Sequence, residues 1–274
     1  MKKGLLVILS LLFSFAGYAN QCSKYWYENN YEKAFTYCKE DAEQGDAQGQ
    51  YHLAFMYDEG FGTKQDKQKA FYFYTKSAKQ DNPYAQYSLA IMYDEGDGIE
   101  QDKQKAIYWY TKAAEQDLSV AQYELAVKYD KGDGLEQDKQ KAVYWYTKLA
   151  EQGNVGVQYS LAVMYDKGDG IEQDKQKAFY WYTKSAEQGG LRAQNNLAVM
   201  YDNGDGIEQD KQKALYWFTK AAEQGDAEAQ YNLAVMYDKG NGIEQNKSLA
   251  KKYYQLACEW SHKNACSKLK QLTE

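Results

Sequence analysis

The block Tyr-Asp-Glu-Gly-Asp-Gly-Ile-Glu-Gln-Asp-Lys-Gln-Lys-Ala-Ile-Tyr-Trp-Tyr-Thr-Lys occupies residues 93–112 and returns almost unchanged at 129–148, 165–184 and 201–220. Looser copies begin at Tyr57 and Tyr237. The Gly-x-Gly at its centre starts at residues 60, 96, 132, 168, 204 and 240, a spacing of 36 without slippage. Self-similarity at a fixed period of about 20–50 residues marks a stacked repeat architecture. One copy cannot bury its own apolar face, and stacked copies bury it jointly. The chain is therefore read as one array and not as separate globular cores.

Residues 83–117 show what one copy builds. Ala85, Leu89, Ala90 and Tyr93 are apolar at helical spacing and form an A-type helix. Gly96-Asp97-Gly98 stops it, because glycine accepts the left-handed conformation that ends helices. Ile99 is expected to tuck the loop onto the core. Asp102 stands where an N-cap belongs, and a B-type helix follows. Its Ala106, Trp109, Tyr110, Ala113 and Ala114 fall on one stripe, while Lys103, Lys105 and Lys112 are expected in water. The tryptophans at 109, 145, 181 and 217 lie on that stripe, which favours packing over a stacking ladder for sugars or bases. The acidic run Asp94–Gly98 does not make a calcium loop, since glycines fill its third and fifth positions, where oxygen ligands are needed.

The termini read differently. Lys2 and Lys3, an apolar run over 5–15 and the small residues Gly17 and Ala19 form a secretory signal peptide, with cleavage expected after Ala19. Lipidation at Cys22 is disfavoured by the bulky Gln21 before it. The chain is thus expected to be periplasmic or secreted, with no membrane association after cleavage. Export makes the cysteines interpretable as disulfides. In the 36-residue register Cys258 ends one helix and Cys266 begins the next, so a turn brings them together. Cys22 and Cys38 then pair by elimination, although four cysteines allow three connectivities. No metal site or cofactor is expected, with only His52 and His262 present and no Cys-x-x-Cys. Lys and Arg number 33 against 39 Asp and Glu, and each basic pair is surrounded by acids, so nucleic acid is not an expected partner.

The pattern Gly-x-Gly-Ile-x-x-Asp-x-x-Lys-Ala-x-x-Trp-Tyr-x-Lys-x-Ala-x-x-Gly over 168–189, then Ala-x-x-x-Leu-Ala-x-x-Tyr over 193–201, resembles the Sel-one-like repeats of the tetratricopeptide superfamily. The likeness covers roughly residues 31–270. It implies an all-α fold, a right-handed α-solenoid of antiparallel helix pairs with the A-type helices on the concave side. The cysteine spacing across the last turn also resembles the secreted, cysteine-rich members. The organisation expected is a signal peptide over 1–19 and a capping segment with one lone B-type helix over 20–45. Six repeats follow over 46–81, 82–117, 118–153, 154–189, 190–225 and 226–261, then a capping A-type helix over 262–274.

On the A-type helices Tyr87 and Ile91 point away from Ala85, Leu89 and Tyr93. The same pairs recur as Tyr51 with Phe55, Tyr123 with Val127, Tyr159 with Val163 and Tyr231 with Val235, while the fifth repeat has Asn195 with Val199. With the A-type helices concave, these residues form a tyrosine-rich groove for a protein partner; the alternative is that neighbouring helices cover them. Lys128 stands where other copies have Met, and Glu124, Asn195, Asn196, Arg192 and His52 also vary. Asn195, Asn196, Glu124 and Lys128 are accordingly ligand-contact candidates, with drift at exposed positions as the competing account. The function expected is an exported, non-catalytic, monomeric scaffold that binds another protein or peptide along its concave face. One alternative, implied by the resemblance, is a periplasmic immunity protein that neutralises a toxic effector such as a lipase. The other is a weak β-lactam-binding or β-lactamase-like protein. Ser248-Leu249-Ala250-Lys251 and Ser267-Lys268-Leu269-Lys270 match Ser-x-x-Lys, but no Ser-Asp-Asn or Lys-Thr-Gly accompanies them.

Overall fold

The computed structural model describes residues 21–272. The signal-peptide reading falls outside the described residues. Residues 21–27 are helical (α1). They are followed by α2 (Tyr31–Glu43), α3 (Ala47–Glu59), α4 (Lys67–Ala78), α5 (Pro83–Glu95), α6 (Lys103–Glu115), α7 (Ser119–Lys131) and α8 (Lys139–Glu151). Then come α9 (Val155–Lys167), α10 (Lys175–Glu187), α11 (Leu191–Asn203), α12 (Lys211–Glu223), α13 (Ala227–Lys239), α14 (Lys247–Glu259) and α15 (Lys263–Gln271). From α2 onward, even-numbered helices are B-type and odd-numbered ones A-type. The chain divides into two compact units, one ending at Trp145 and the other beginning at Tyr146. Within each unit an A-type helix packs on the B-type helix after it, and that helix packs on the next A-type helix. This is an α-solenoid. Helical residues 21–27 precede α2, the B-type helix expected in the N-terminal segment.

The local signals act as their chemistry requires. Asp102 is extended and accepts the Lys105 N–H at 3.0 Å, and Asp66, Asp174 and Asp210 cap their helices in the same way. Gly96 ends α5 at φ 74°, a left-handed conformation open to glycine at little cost, and its N–H donates to Met92 O. The loop between is closed by Asp102 N–H to Tyr93 O at 2.8 Å and by Gln101 Nε2 to Asp94 O at 2.6 Å. Ile99 packs onto the core as expected.

In the first unit Ala90, Ala106, Tyr110, Ala113, Ala121 and Leu125 are buried together, with Trp109 and Trp145 packed against them. In the second, Ala198, Ala214, Phe218, Ala221 and Leu233 do the same, with Trp217 alongside. The tryptophan series is core material. Each buried leucine of this kind contributes about 1.5–3 kcal/mol, and the alanines let helix axes approach.

Polar side chains join neighbouring repeats. Gln86 is 1% exposed. Its Nε2 donates to Ala78 O at 3.2 Å, and its Oε1 accepts from Gln116 Nε2 at 2.8 Å. Gln50 with Gln80, Gln158 with Gln188 and Gln194 with Gln224 repeat this amide pairing. The buried amides are thereby satisfied, which matters more than the roughly 1 kcal/mol each bond nets. The series stops at Gln230, whose Oε1 is buried without a partner because Trp260 stands in the register of Gln224. A second joint is ionic. Lys67 at the start of α4 binds Asp58 of its own repeat at 2.7 Å and Asp97 of the next at 2.6 Å. Lys175 binds Asp166 and Asp205 likewise. Lys103, expected in water, is a correction: it pairs with Asp133, thirty residues on.

The cysteines take the expected partners in space. Cys22 and Cys38 lie at disulfide distance with Cα atoms 4.7 Å apart, tying α1 to α2. Cys258 and Cys266 do so at 4.7 Å, tying α14 to α15.

Candidate protein-binding surface

The A-type helices carry two kinds of position. Those facing the core barely change: Leu53, Leu89, Leu125, Leu161, Leu197 and Leu233 are all leucine and at most 1% exposed. The second residue of each helix is different in every repeat: Gln48, Tyr84, Val120, Gly156, Arg192 and Glu228. All but the half-buried Gln48 are exposed. Four residues on stand His52, Ser88, Glu124, Ser160, Asn196 and Asn232, and eleven residues on Glu59, Glu95, Lys131, Lys167, Asn203 and Lys239. The residue at the seventh step is Phe55, Ile91 or valine. Steps of four, three and four residues keep these side chains on one helical stripe. The most divergent of these columns thus share one face of the A-type helices.

In the first unit this stripe opens into a pocket of about 440 Å³ between α3, α5 and α7. Its apolar wall is Tyr51, Phe55, Tyr84, Tyr87, Ile91 and Val120, and its polar rim is Asp58, Glu59, Glu95, Asp97 and Lys67. The Tyr51 and Tyr84 rings lie 5.9 Å apart, one from each repeat. The Tyr51 ring also lies 6.0 Å from the buried Tyr74, and Tyr87 lies 5.8 Å from the buried Tyr110. Burial, then Glu124 and Glu95, push the Tyr87 hydroxyl above its ordinary pKa. Burial works against the Lys67 ammonium, but its bonds to Asp58 and Asp97 prevail and hold its pKa above the usual lysine value. In the second unit a smaller pocket of about 250 Å³ is lined by Val155, Tyr159, Leu191 and Arg192 among others.

The residues expected from sequence divide into two groups. Tyr51, Phe55, Tyr87, Ile91, Tyr159 and Tyr231 are half-buried, and Tyr123 is 46% exposed. Tyr159 and Tyr231 rest on Tyr182 and Tyr254 at 5.9 and 5.8 Å. Glu124 is half-buried near Tyr87. Lys128 is 4% exposed, with its ammonium 2.7 Å from Asp94, 3.1 Å from Asp133 and 5.6 Å from the Tyr110 ring centre. Asn195 is 8% exposed; its Nδ2 donates to Asn196 Oδ1 at 3.4 Å and its Oδ1 accepts from Asn232 Nδ2 at 3.2 Å. Asn196 donates to the Tyr182 hydroxyl at 3.0 Å. Lys128 and Asn195 thus act inside the array, while Tyr51, Phe55, Tyr87 and Ile91 converge on the first-unit pocket. Tyr84, Glu59 and Glu95 were not singled out in the sequence, though comparing the copies column by column exposes them. Ser248 and Ser267 are exposed, and the Ser267 hydroxyl donates to Lys263 O. Cys22, Cys38 and His52 bring their ligand atoms within 4.8 Å of one another, but the two sulfurs are bonded to each other.

Within each compact unit, successive two-helix repeats joined by the same kinds of contact define a tetratricopeptide-like solenoid. The chain belongs to the Sel1 repeat family, whose model matches residues 15–46, 47–82, 83–118, 119–154, 157–190, 191–226 and 227–259. The family match thus counts the N-terminal segment as a seventh repeat. The fold is similar to that of c5321, a protective antigen of uropathogenic Escherichia coli strains, at TM-score 0.75 and 36% identity over 87% of this chain. This chain spans 51% of the length of that protein. It is also similar to a Sel1 repeat protein from Oxalobacter formigenes, at TM-score 0.60 and 30% identity, with 88% of this chain and 96% of that one covered. No curated protein matches the chain significantly. The protein is a Sel1 repeat scaffold suited to protein–protein interaction.

Proposed function

We propose that this chain is an exported, non-catalytic, monomeric scaffold that holds another protein along the divergent stripe of its A-type helices. The observation that carries this reading is the coincidence of that stripe with the aromatic pocket of the first unit. Tyr84, Ser88, Ile91 and Glu95 are the four stripe residues of α5, and all four line it. Structural roles fix the constant columns, so a demand for specificity falls on the remaining face, and aromatic side chains in partly desolvated pockets are where interface energy concentrates. Two cysteine pairs at disulfide distance support export, since such bonds persist outside the cytosol. No helix among the described residues is long and apolar enough to cross a membrane.

The test is site-specific photo-crosslinking in intact cells. A crosslinker replaces Tyr84, which is 53% exposed, or Tyr108 on the opposite type of helix, which is 54% exposed. A discrete protein adduct from position 84 and none from 108 is the expected result. Equal labelling from both positions, or no protein adduct at 84, overturns the proposal.

A further inference from the structure

The stripe is charged unevenly between the two units. In the first unit its charged residues are Glu59, Glu95, Glu124 and a single cation, Lys131. In the second they are Lys167, Arg192, Lys239 and a single acid, Glu228. At the last residue of the A-type helices the change falls between α5 and α7: it is Glu59 and Glu95 in α3 and α5 but Lys131, Lys167 and Lys239 in α7, α9 and α13, with Asn203 in α11. A lysine is the favoured residue there, because the helix C-terminus carries partial negative charge. The two glutamates oppose that preference, and both border the one pocket.

The pocket's own lysine does not neutralise them. Lys67 is committed to Asp58 and Asp97, leaving Glu59 and Glu95 without an ion-pair partner among the described residues. Two carboxylates therefore stand over a wall of tyrosine and phenylalanine rings. Aromatic faces attract cations through their quadrupole, and the attraction strengthens as the cation loses water. Carboxylates at the rim supply the complementary charge and a planar partner for a guanidinium.

We infer that the pocket between α3 and α5 is a receptor for an arginine or lysine side chain of the partner protein, held between the tyrosine rings and the Glu59 and Glu95 carboxylates. This rests on the scaffold reading above and adds the chemistry of the residue received. The aliphatic stem lies along Ile91 and Phe55, and the charged head meets the rings and the rim. A volume of about 440 Å³ accommodates one such side chain with its flanking backbone.

The probes are N-acetyl-arginine methylamide and its neutral isostere N-acetyl-citrulline methylamide. Ring resonances of Tyr51, Tyr84 and Tyr87 in the full chain report binding by NMR. The arginine probe should bind at least tenfold more tightly than the citrulline probe, and the preference should shrink at high salt. Glu59→Lys with Glu95→Lys, which installs the residue found at 167 and 239, should abolish it while the helical signal is retained. If that pair perturbs folding, Glu59→Gln with Glu95→Gln should reduce the preference several-fold. Equal binding of both probes, or a preference that survives the charge reversal, overturns the inference. Tighter binding of tetramethylammonium than of the arginine probe also overturns it, since the site would then recognise a quaternary ammonium. Loss of the arginine preference with the crosslink at position 84 intact refutes this inference alone; loss of the crosslink refutes the scaffold reading itself.

Discussion

His52 and Asp41 set a pH experiment with a worked sign. His52 is 2% exposed, stacked 4.8 Å from Trp26, with Nε2 2.9 Å from Gln48 and Nδ1 3.4 Å from Cys22 Sγ. Burial lowers its pKa from 6.5 to about 4, against a weaker opposing pull from Asp46. Asp41 is 3% exposed with Oδ2 unpaired. Burial, then Asp46 and Glu40, raise its pKa from 3.8 to about 6. For His52 the unfolded chain takes up its proton first as the pH falls below 6.5. The stability its neutral form contributes is thus complete above 6.5 and lost by about pH 4. For Asp41 the folded chain keeps its proton longer, so that contribution is complete below 3.8 and lost as the pH rises through about 6. Gaps of roughly two units at 1.36 kcal/mol each make either term about 3 kcal/mol. The two run in opposite directions over nearly the same interval, so the parent chain conceals both. Urea unfolding of parent, Asp41→Asn and His52→Gln proteins between about pH 4 and pH 7 separates them. The Asn variant should gain about 3 kcal/mol relative to the parent as pH rises, and the Gln variant should lose about as much. Two difference curves flat to within about 1 kcal/mol would refute the assignment.

Replacing Lys128 with methionine, the residue at that register elsewhere, should change stability by less than about 1 kcal/mol, because an apolar side chain substitutes well for a buried ion pair. Lys103 is then free to take Asp94 as Lys67 takes Asp58. Asp94→Ala should instead cost about 3 kcal/mol in urea unfolding, by leaving a buried ammonium half-paired. Cys258→Ser with Cys266→Ser should cost about 2.5 kcal/mol of loop-closure entropy for a separation of eight residues. Hydrogen exchange should then accelerate in α15 and stay unchanged in α2; uniform exchange would contradict a local role.

Much of the fold was legible because its signals are local. The period, the Asp102 cap and the Gly96 stop each act within a few residues, and the structure shows all three. The polar joints were not legible, since Gln86 with Gln116 and Lys103 with Asp133 meet across thirty residues and only the stacking register brings them together. The same blindness affected Lys128 and Asn195. A helical wheel drawn for one helix omits the neighbouring repeats, of which the preceding one supplies Asp94 to Lys128 and the following one supplies Asn232 to Asn195. Tyr51 and Tyr87 emerged from the wheel because their i, i+4 partners lie on the same helix. Tyr84, Glu59 and Glu95 required a different signal, the contrast between copies at one register.

The amide and ionic joints have a consequence for how such a chain changes length. Each links a residue to one thirty positions on, with the same donor and acceptor types at successive seams. Removal or insertion of a whole 36-residue period within a run therefore restores glutamine to glutamine and lysine to aspartate at the splice. Recombination between such similar stretches of gene can lengthen or shorten the product without inventing an interface, and the second residue of each A-type helix can vary without touching these joints.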